Sequence, residues 1–176
     1  MITASEVAKT LIHLAESDPE GEPITAMRLH KLLYYCQGWH LAWYGQPLFP
    51  DQIEAWKHGP VVPAVWNTAW GHGKEPIRDP GPAAVPDVER ASIAQVWSHY
   101  RIYSASGLRD KTHEEPPWKS HYKPDENARC SEVIPTSDLA RYFGEEFQRQ
   151  TGEKPGAANV EKRGIPLEQL RQELGC

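Results

Sequence analysis

Cys36 and His40 are the first pair of residues whose types and spacing could do chemistry. They lie four positions apart in a segment with helical periodicity, so their side chains can face each other on one helix surface, as a thiolate and its base require. Cys36 also belongs to the apolar stripe of that segment, and an unactivated cysteine in such a stripe is usually a core residue. The pattern therefore favours a buried structural thiol over a cysteine nucleophile.

A histidine-centred pocket is the second chemistry that the residue types allow. Lys57, His58 and His113 could meet from distant segments, and a histidine can act as a general acid or base near neutral pH. Neither a nucleophile nor an orienting carboxylate is identifiable beside them. An uncharacterised enzyme with such a pocket is kept as the alternative hypothesis.

Metal and cofactor chemistry receives little support from the sequence. His72, His113 and His121 can be paired, but no histidine or cysteine recurs at the short spacing typical of zinc ligands. The chain has neither a G-x-S-x-G elbow nor a glycine-rich phosphate loop. We therefore expect no catalytic residue, no metal site and no cofactor, and we predict that the protein is not an enzyme.

Residues 55–63 (AWKHGPVVP) combine an aromatic ring, charged side chains and rigid backbone positions within one turn. Glycine permits unusual dihedral angles and proline fixes them, so the segment is a corner. Such a corner can simply orient Trp56 inward, or it can present a rigid aromatic anchor to a partner protein. The sequence leaves both interpretations open.

Helical periodicity and capping residues predict the elements that position these side chains. The predicted helix starts are Thr3 with Glu6 as a capping box, Thr25, Pro63, Asp87 as a cap, Ser104, Thr136 or Ser137 as a cap, and Pro166. Short extended segments are expected at 48–49 and 53–56, and they are expected to form a small hairpin. Gly59 and Pro60 are expected to end this extended region. Residues 113–129 are expected to be a loop.

The predicted fold class is mainly α, or α+β with a minor β-hairpin, in a compact single domain of five or six helices. We expect this domain to span residues 1–148. Residues 149–176 are predicted to be a polar linker and a short C-terminal amphipathic helix. The cationic residues Arg28, His30 and Lys31 are interpreted as a solvated face of the second helix.

Composition and charge limit the classes of partner that the protein can have. The 176 residues carry 24 acidic and 19 basic side chains, a formal net charge of -5, which argues against a nucleic-acid partner. No apolar run approaches the ~20 residues of a membrane-spanning helix, and the chain start has no signal-peptide pattern. Three scattered cysteines are typical of reduced thiols. We therefore expect a cytoplasmic protein that does not bind membranes.

Several ordered motifs resemble those of one known family. They are residues 29–42 (LHKLLYYCQGWHLA), 45–49 (GQPLF), 54–63 (EAWKHGPVVP), 108–113 (LRDKTH), 117–118 (PW) and 134–143 (IPTSDLARYF). In this order they resemble the Panacea domain, the SocA-like antitoxin family that also includes phage-associated GepA-like proteins. The resemblance covers roughly residues 1–148.

The resemblance implies a compact helical fold and a bacterial or phage antitoxin that neutralises a cognate protein toxin encoded nearby. It does not imply an active site, and an orphan phage-associated interaction domain is kept as a further alternative. Occlusion of the toxin and delivery of the toxin to a protease system both stay open, as does the oligomeric state. The candidate partner-binding residues are Trp56, Lys57, His58, Gly59, Pro60, His113, Trp118, Leu167, Leu170 and Leu174.

Overall fold

The computed structural model describes residues 1–68, 73–78, 81, 83–124 and 132–156. Within these ranges the helices are α1 (Ala4–Glu16), α2 (Ala26–Tyr44), α3 (Pro63–Trp66), α4 (Asp87–Tyr100), α5 (Ala105–Glu114), α6 (Pro116–Lys119) and α7 (Thr136–Thr151). The strands are β1 (Glu54–Trp56), β2 (Gly59–Val61) and β3 (Glu132–Val133). The mainly α fold with a minor hairpin is confirmed. Two of the seven described helices, α3 and α6, are single turns of four residues.

Helix α2 is the centre of the fold. Sixteen of its nineteen residues are buried, which is the pattern of a helix surrounded by other elements rather than one lying on a surface. It packs against α1, α4, α5 and α7 and also against β2. Its predicted boundaries are confirmed, because Thr25 caps its start and Gly45 ends it with a φ of 70°.

The capping predictions for the helices differ in outcome. Thr3 and Glu6 form the predicted capping box of α1, and Ser104 caps α5. The predictions for α4 and α7 are wrong, because Asp87 and Thr136 are the first helical residues and prolines occupy both cap positions. Proline has no side-chain acceptor for the free amides, so these two helices begin without a side-chain cap.

The sheet is small and antiparallel, with the strand order β2-β1-β3. The hairpin pairs Glu54 with Val61, Ala55 with Pro60 and Trp56 with Gly59. Lys57 and His58 form its two-residue tip. The prediction that Gly59 and Pro60 end the extended region is wrong, since both lie in β2. Strand β3 falls in a segment for which the sequence predicted no strand.

Residues 48–49 do not form a strand, so the predicted hairpin of 48–49 with 53–56 is wrong. The buried amide side chain of Gln37 takes the place of a neighbouring strand. Its Oε1 accepts hydrogen bonds from the backbone nitrogens of Leu48 (2.9 Å) and Phe49 (3.2 Å), and its Nε2 donates to the Phe49 carbonyl (3.0 Å). These three bonds satisfy the buried backbone without a ladder.

The predicted loop at 113–129 contains the single turn α6, which holds Trp118 in the core at 7% exposure. Helix α7 continues to Thr151, three residues beyond the proposed domain limit. Gly156 then packs back on α2 by donating its backbone nitrogen to the Ala42 carbonyl at 2.8 Å. The predicted C-terminal helix lies outside the described residues. None of the described helices combines the length and apolar character that crossing a bilayer requires.

Candidate protein-binding site at the hairpin tip

The tip of the β1–β2 hairpin presents two exposed side chains, Lys57 and His58. They are the residues between the paired ends of the strands, Trp56 and Gly59. The half-buried indole of Trp56 lies beside the tip, where its Nε1 donates to Glu54 Oε2 at 2.7 Å. Its ring centroid lies 5.1 Å from that of Trp66, at an angle of 59°. The tip therefore combines two exposed basic side chains with an aromatic surface.

Helix α6 is attached to strand β1 of the hairpin by a hydrogen bond. The Nε1 of Trp118 donates a hydrogen bond of 2.9 Å to the backbone carbonyl of Trp56. On its two sides the Trp118 ring stacks on His113, at a centroid distance of 3.9 Å, and on Tyr122, at 4.6 Å. The two interplanar angles are 9° and 14°. This aromatic stack of His113, Trp118 and Tyr122 gives the hairpin a rigid base, since aromatic pairs add to the energy of burial.

Helix α2 supports the other strand through Lys31. This side chain is 1% exposed, and its Nζ donates to the Pro60 carbonyl at 3.0 Å. Burial lowers the pKa of Lys31 to about 7, and the charge of Arg109 acts in the same direction. The solvated helix face predicted for this segment is therefore wrong, because Arg28, His30 and Lys31 are all buried.

Each of these three buried basic residues forms a hydrogen bond with the backbone of another segment. The guanidinium of Arg28 donates to the carbonyls of Glu22 and Arg101, the latter at 2.6 Å. His30 Nδ1 accepts from the Val62 backbone nitrogen at 3.3 Å. The backbone groups of Arg101, Pro60 and Val62 lie 29 to 73 positions away from their partners. Such partners leave no local signal in a sequence, so single-sequence reasoning missed the roles of these side chains.

His113 packs its ring flat on Trp118. Burial, followed by the charges of Lys31 and Arg109, lowers its pKa. Its Nε2 is buried and has no hydrogen-bond partner among the described residues. The ring therefore acts here as a packing surface.

The predicted structural role of Cys36 agrees with its environment. The residue is fully buried, and burial raises the pKa of its thiol, so the nucleophilic thiolate is disfavoured. His40 does not act as its base. Its Nδ1 is hydrogen-bonded to Ser92 Oγ at 2.9 Å, so this nitrogen is engaged away from the thiol. Burial lowers the pKa of His40 to about 4.

A separate cleft lies between α6 and α7. Its walls include Pro116, Tyr142 and the hydrogen-bonded side chains of His121 and Asp138, whose Nε2 and Oδ2 are 2.8 Å apart. The lining contains neither His113 nor the tip residues. Across the described ranges, no group of three histidine, cysteine or acidic side chains is arranged to hold a metal ion.

The structure brings together seven of the ten candidate residues. Trp56, Lys57, His58, Gly59 and Pro60 are consecutive in the hairpin, Trp118 donates to the Trp56 carbonyl, and His113 stacks on Trp118. The other three, Leu167, Leu170 and Leu174, lie outside the described residues. The residue at this site that the sequence did not reveal is Lys31.

The profile of the family described as "Antitoxin SocA-like, Panacea domain" matches residues 29–119, more than half of the chain. The chain belongs to this family. The matched segment contains the hairpin, α5 and α6, and hence every candidate residue within the described ranges, as well as Lys31. The resemblance inferred from the motifs is confirmed.

One curated member of the SocA-like family shows measurable identity with this Panacea-domain chain. Antitoxin SocA of Caulobacter vibrioides (strain NA1000 / CB15N) is 42% identical over 55 residues. The alignment covers 31% of this chain and 29% of that protein, so the chain matches less than a third of its relative's length. No solved structure matches the chain.

Proposed function

We propose that this protein is an antitoxin that binds and neutralises a cognate protein toxin, and that the hairpin tip is the contact. The observation that carries the proposal is the convergence of seven candidate residues on one supported turn, inside the segment that matches the SocA-like family. We propose that the toxin is encoded by a neighbouring gene and that the pair acts in the cytoplasm of a bacterium.

The construction of the tip suits a binding surface. Lys57 and His58 are exposed, while the backbone on both sides of them is held by Lys31 and Trp118. A turn that is already ordered loses little conformational entropy when a partner binds, so more of the contact energy appears as affinity. The indole of Trp56 supplies an aromatic anchor, and the two cations set the register of the partner.

Occlusion of the toxin is the mechanism that this surface supports best. A rigid protruding turn can enter a concave active surface of the toxin and exclude its substrate. Delivery to a protease is the alternative route, and it predicts a fall in toxin abundance. Immunoblotting of the toxin during rescue separates the two, because occlusion neutralises the toxin at unchanged abundance.

The histidine-centred enzyme is less compatible with the same geometry. It needs His113 to exchange protons with a substrate beside Lys57 and His58. The Nε2 of His113 is buried, and the ring face is covered by Trp118. The described cleft lies on the side of α6 and α7 and does not include these residues.

Co-expression in a growth assay tests the proposal. Each gene flanking the gene for this protein is induced alone, with the wild type, and with Lys57→Glu, which reverses one charge at the exposed tip without touching the core. The exposed Lys154 precedes Gly156 by two residues, and Gly156 donates its backbone nitrogen to the Ala42 carbonyl near the C-terminal end of α2, so Lys154→Glu is the matched control.

We expect one flanking product to arrest growth, and we expect the wild type and Lys154→Glu to restore it. Lys57→Glu should restore growth poorly at equal expression. A toxic neighbour that the wild type does not neutralise would contradict the antitoxin assignment for that pair. Full rescue by Lys57→Glu would show that the hairpin tip is not part of the contact with the toxin.

The C-terminal residues Leu167, Leu170 and Leu174 are proposed as a second contact. Their spacing gives one apolar stripe that can fold against a partner. A chain truncated after Gly156 tests this contact, and we expect it to bind the toxin more weakly than the full chain. Equal affinity of the two chains would exclude a role for the stripe.

A further inference from the structure

Lys31 joins three elements beneath the proposed contact. It projects from α2, donates its Nζ to the Pro60 carbonyl in β2 at 3.0 Å, and approaches Thr112 of α5 across Gly59. The amine and the indole of Trp118 both donate hydrogen bonds to the hairpin backbone. Trp118 holds β1, and Lys31 holds β2.

The fit around this amine leaves no spare volume. A Cβ added at Gly59 would lie 2.4 Å from Lys31 Cε and 3.0 Å from Thr112 Oγ1. Gly59 also has a φ of 99°, a conformation that residues with a side chain rarely adopt. The lysine side chain and the glycine backbone therefore occupy complementary positions at the first residue after the tip.

Stability alone does not explain an amine at this position. Burial removes its hydration, and both Arg109 and His113 lie near enough to interact with its charge. An apolar side chain of the same length would avoid that loss of hydration, and buried charged groups are often replaced by apolar ones without loss of stability. What an apolar side chain would not supply is the hydrogen bond to Pro60.

We infer that Lys31 is a positioning residue of the partner-binding site: its amine fixes the Pro60 carbonyl and thereby sets the place of Lys57 and His58. This inference rests on the proposed function for its consequence in binding. Its structural part, the control of the tip by a buried amine, can be measured in the free protein.

Lys31→Met tests the inference, because methionine keeps the length and the apolar stem and removes the donor. Lys31→Leu is the second variant, and Lys154→Met, at an exposed position after α7, is the matched control. Three quantities are measured for the full-length protein: the thermal midpoint, the hydrogen-exchange rates of the amides at 57–59, and the Kd for the toxin that the growth assay identifies.

We expect Lys31→Met to keep or raise the thermal midpoint. We expect exchange at the tip amides to become about fivefold faster and the Kd to become about fivefold weaker, as the loss of one hydrogen bond predicts. A residue with only a structural role would not separate stability from affinity in this way. Lys154→Met should change none of the three quantities.

Three results would overturn the inference. The first is that the tip amides of Lys31→Met exchange at the wild-type rate. The second is that exchange in Lys31→Met is altered while its Kd for the toxin stays at the wild-type value. The third is that neither Lys31→Met nor Lys31→Leu folds. If no flanking product binds the wild type, the proposed function fails instead. In that case the exchange rates at 57–59 still decide whether Lys31 positions the tip.

Discussion

The indole nitrogen of Trp118 donates a 2.9 Å hydrogen bond to the backbone carbonyl of Trp56, sixty-two positions earlier in the chain. This single bond attaches α6 to the hairpin, and the stack of His113 and Tyr122 on the Trp118 ring fixes the direction of the donor. The supported turn at Lys57 and His58 thus depends on a helix of only four residues.

Trp118→Phe should loosen the hairpin while keeping an aromatic ring in the stack. We expect the free energy of unfolding to fall by about 2 kcal/mol, since a hydrogen bond is lost and the Trp56 carbonyl loses its donor. Trypsin cleavage after Lys57 should become faster in the native protein, because the tip opens more often. Urea denaturation and timed proteolysis measure the two effects.

Trp43→Phe is the control for this prediction. It makes the same change of side chain near the C-terminal end of α2. It should therefore change the free energy of unfolding without changing cleavage after Lys57. Unchanged cleavage in Trp118→Phe would show that the bond to Trp56 does not hold the hairpin.

Gly38 should not tolerate even one added methyl group. A Cβ at this position would lie 2.1 Å from a ring carbon of Phe143, so α2 and α7 approach each other through this glycine. We expect Gly38→Ala to lower the free energy of unfolding by about 3 kcal/mol through overpacking. Gly38→Ala combined with Phe143→Leu should recover part of that loss.

Gly107→Ala is the matched control, because its added Cβ would meet Ser104 Oγ only at 3.4 Å. Alanine is the better helix former, so this variant should be neutral or slightly more stable. Equal free energies of unfolding for Gly38→Ala and wild type would contradict the close packing of α2 on α7.

Glu115 should make stability depend on pH in an unusual direction. Burial raises its pKa to about 7 from an ordinary value of 4.5, although Tyr34 (2.7 Å) and Tyr35 (2.9 Å) donate hydrogen bonds to its carboxylate. Between these two values the folded state binds a proton that the unfolded state has lost. This contribution to stability is complete below about pH 4.5 and is lost as the pH rises through 7.

Glu115→Gln removes this titration. The wild type loses stability as the pH rises, whereas the variant does not. The stability of Glu115→Gln relative to wild type should therefore increase from pH 5 to pH 8. Urea denaturation at both values measures the change, and Glu114→Gln, at a side chain that is 81% exposed, provides the control. A difference between Glu115→Gln and wild type that is the same at both pH values would contradict the raised pKa.

Cys36 should be inert in the native protein. Full burial blocks reagents, and the raised pKa of the thiol leaves little thiolate. In a Cys130→Ser, Cys176→Ser background, we expect alkylation of Cys36 by iodoacetamide to require unfolding. Urea-unfolded protein is the positive control. Rapid alkylation under native conditions would return the cysteine nucleophile to consideration.

Local signals predicted the helices well. Thr3 with Glu6, Thr25 and Ser104 all cap helices as expected, because a capping hydroxyl and the amides that it satisfies lie within three residues of each other. The cap predictions failed at Asp87 and Thr136, where a preceding proline already sets the extended backbone from which the helix starts.

The parts of the site that the sequence missed depend on distant partners. Lys31 was interpreted as solvated because its acceptor, the Pro60 carbonyl, lies 29 positions away. Helix α6 was interpreted as loop because four residues carry no periodicity, and Trp118 is ordered by its bond to Trp56 rather than by local propensity. The motif at 54–63 nevertheless indicated where these contacts would converge.

Hydrogen exchange of the complex is the measurement that tests the central claim most directly. The wild-type protein is labelled alone and with a saturating amount of the toxin identified by co-expression. The account predicts that the amides at 57–59 gain strong protection in the complex and that Lys57→Glu reduces this gain. Strong protection elsewhere, with exchange at 57–59 unchanged, would show that the hairpin tip is not where the toxin binds.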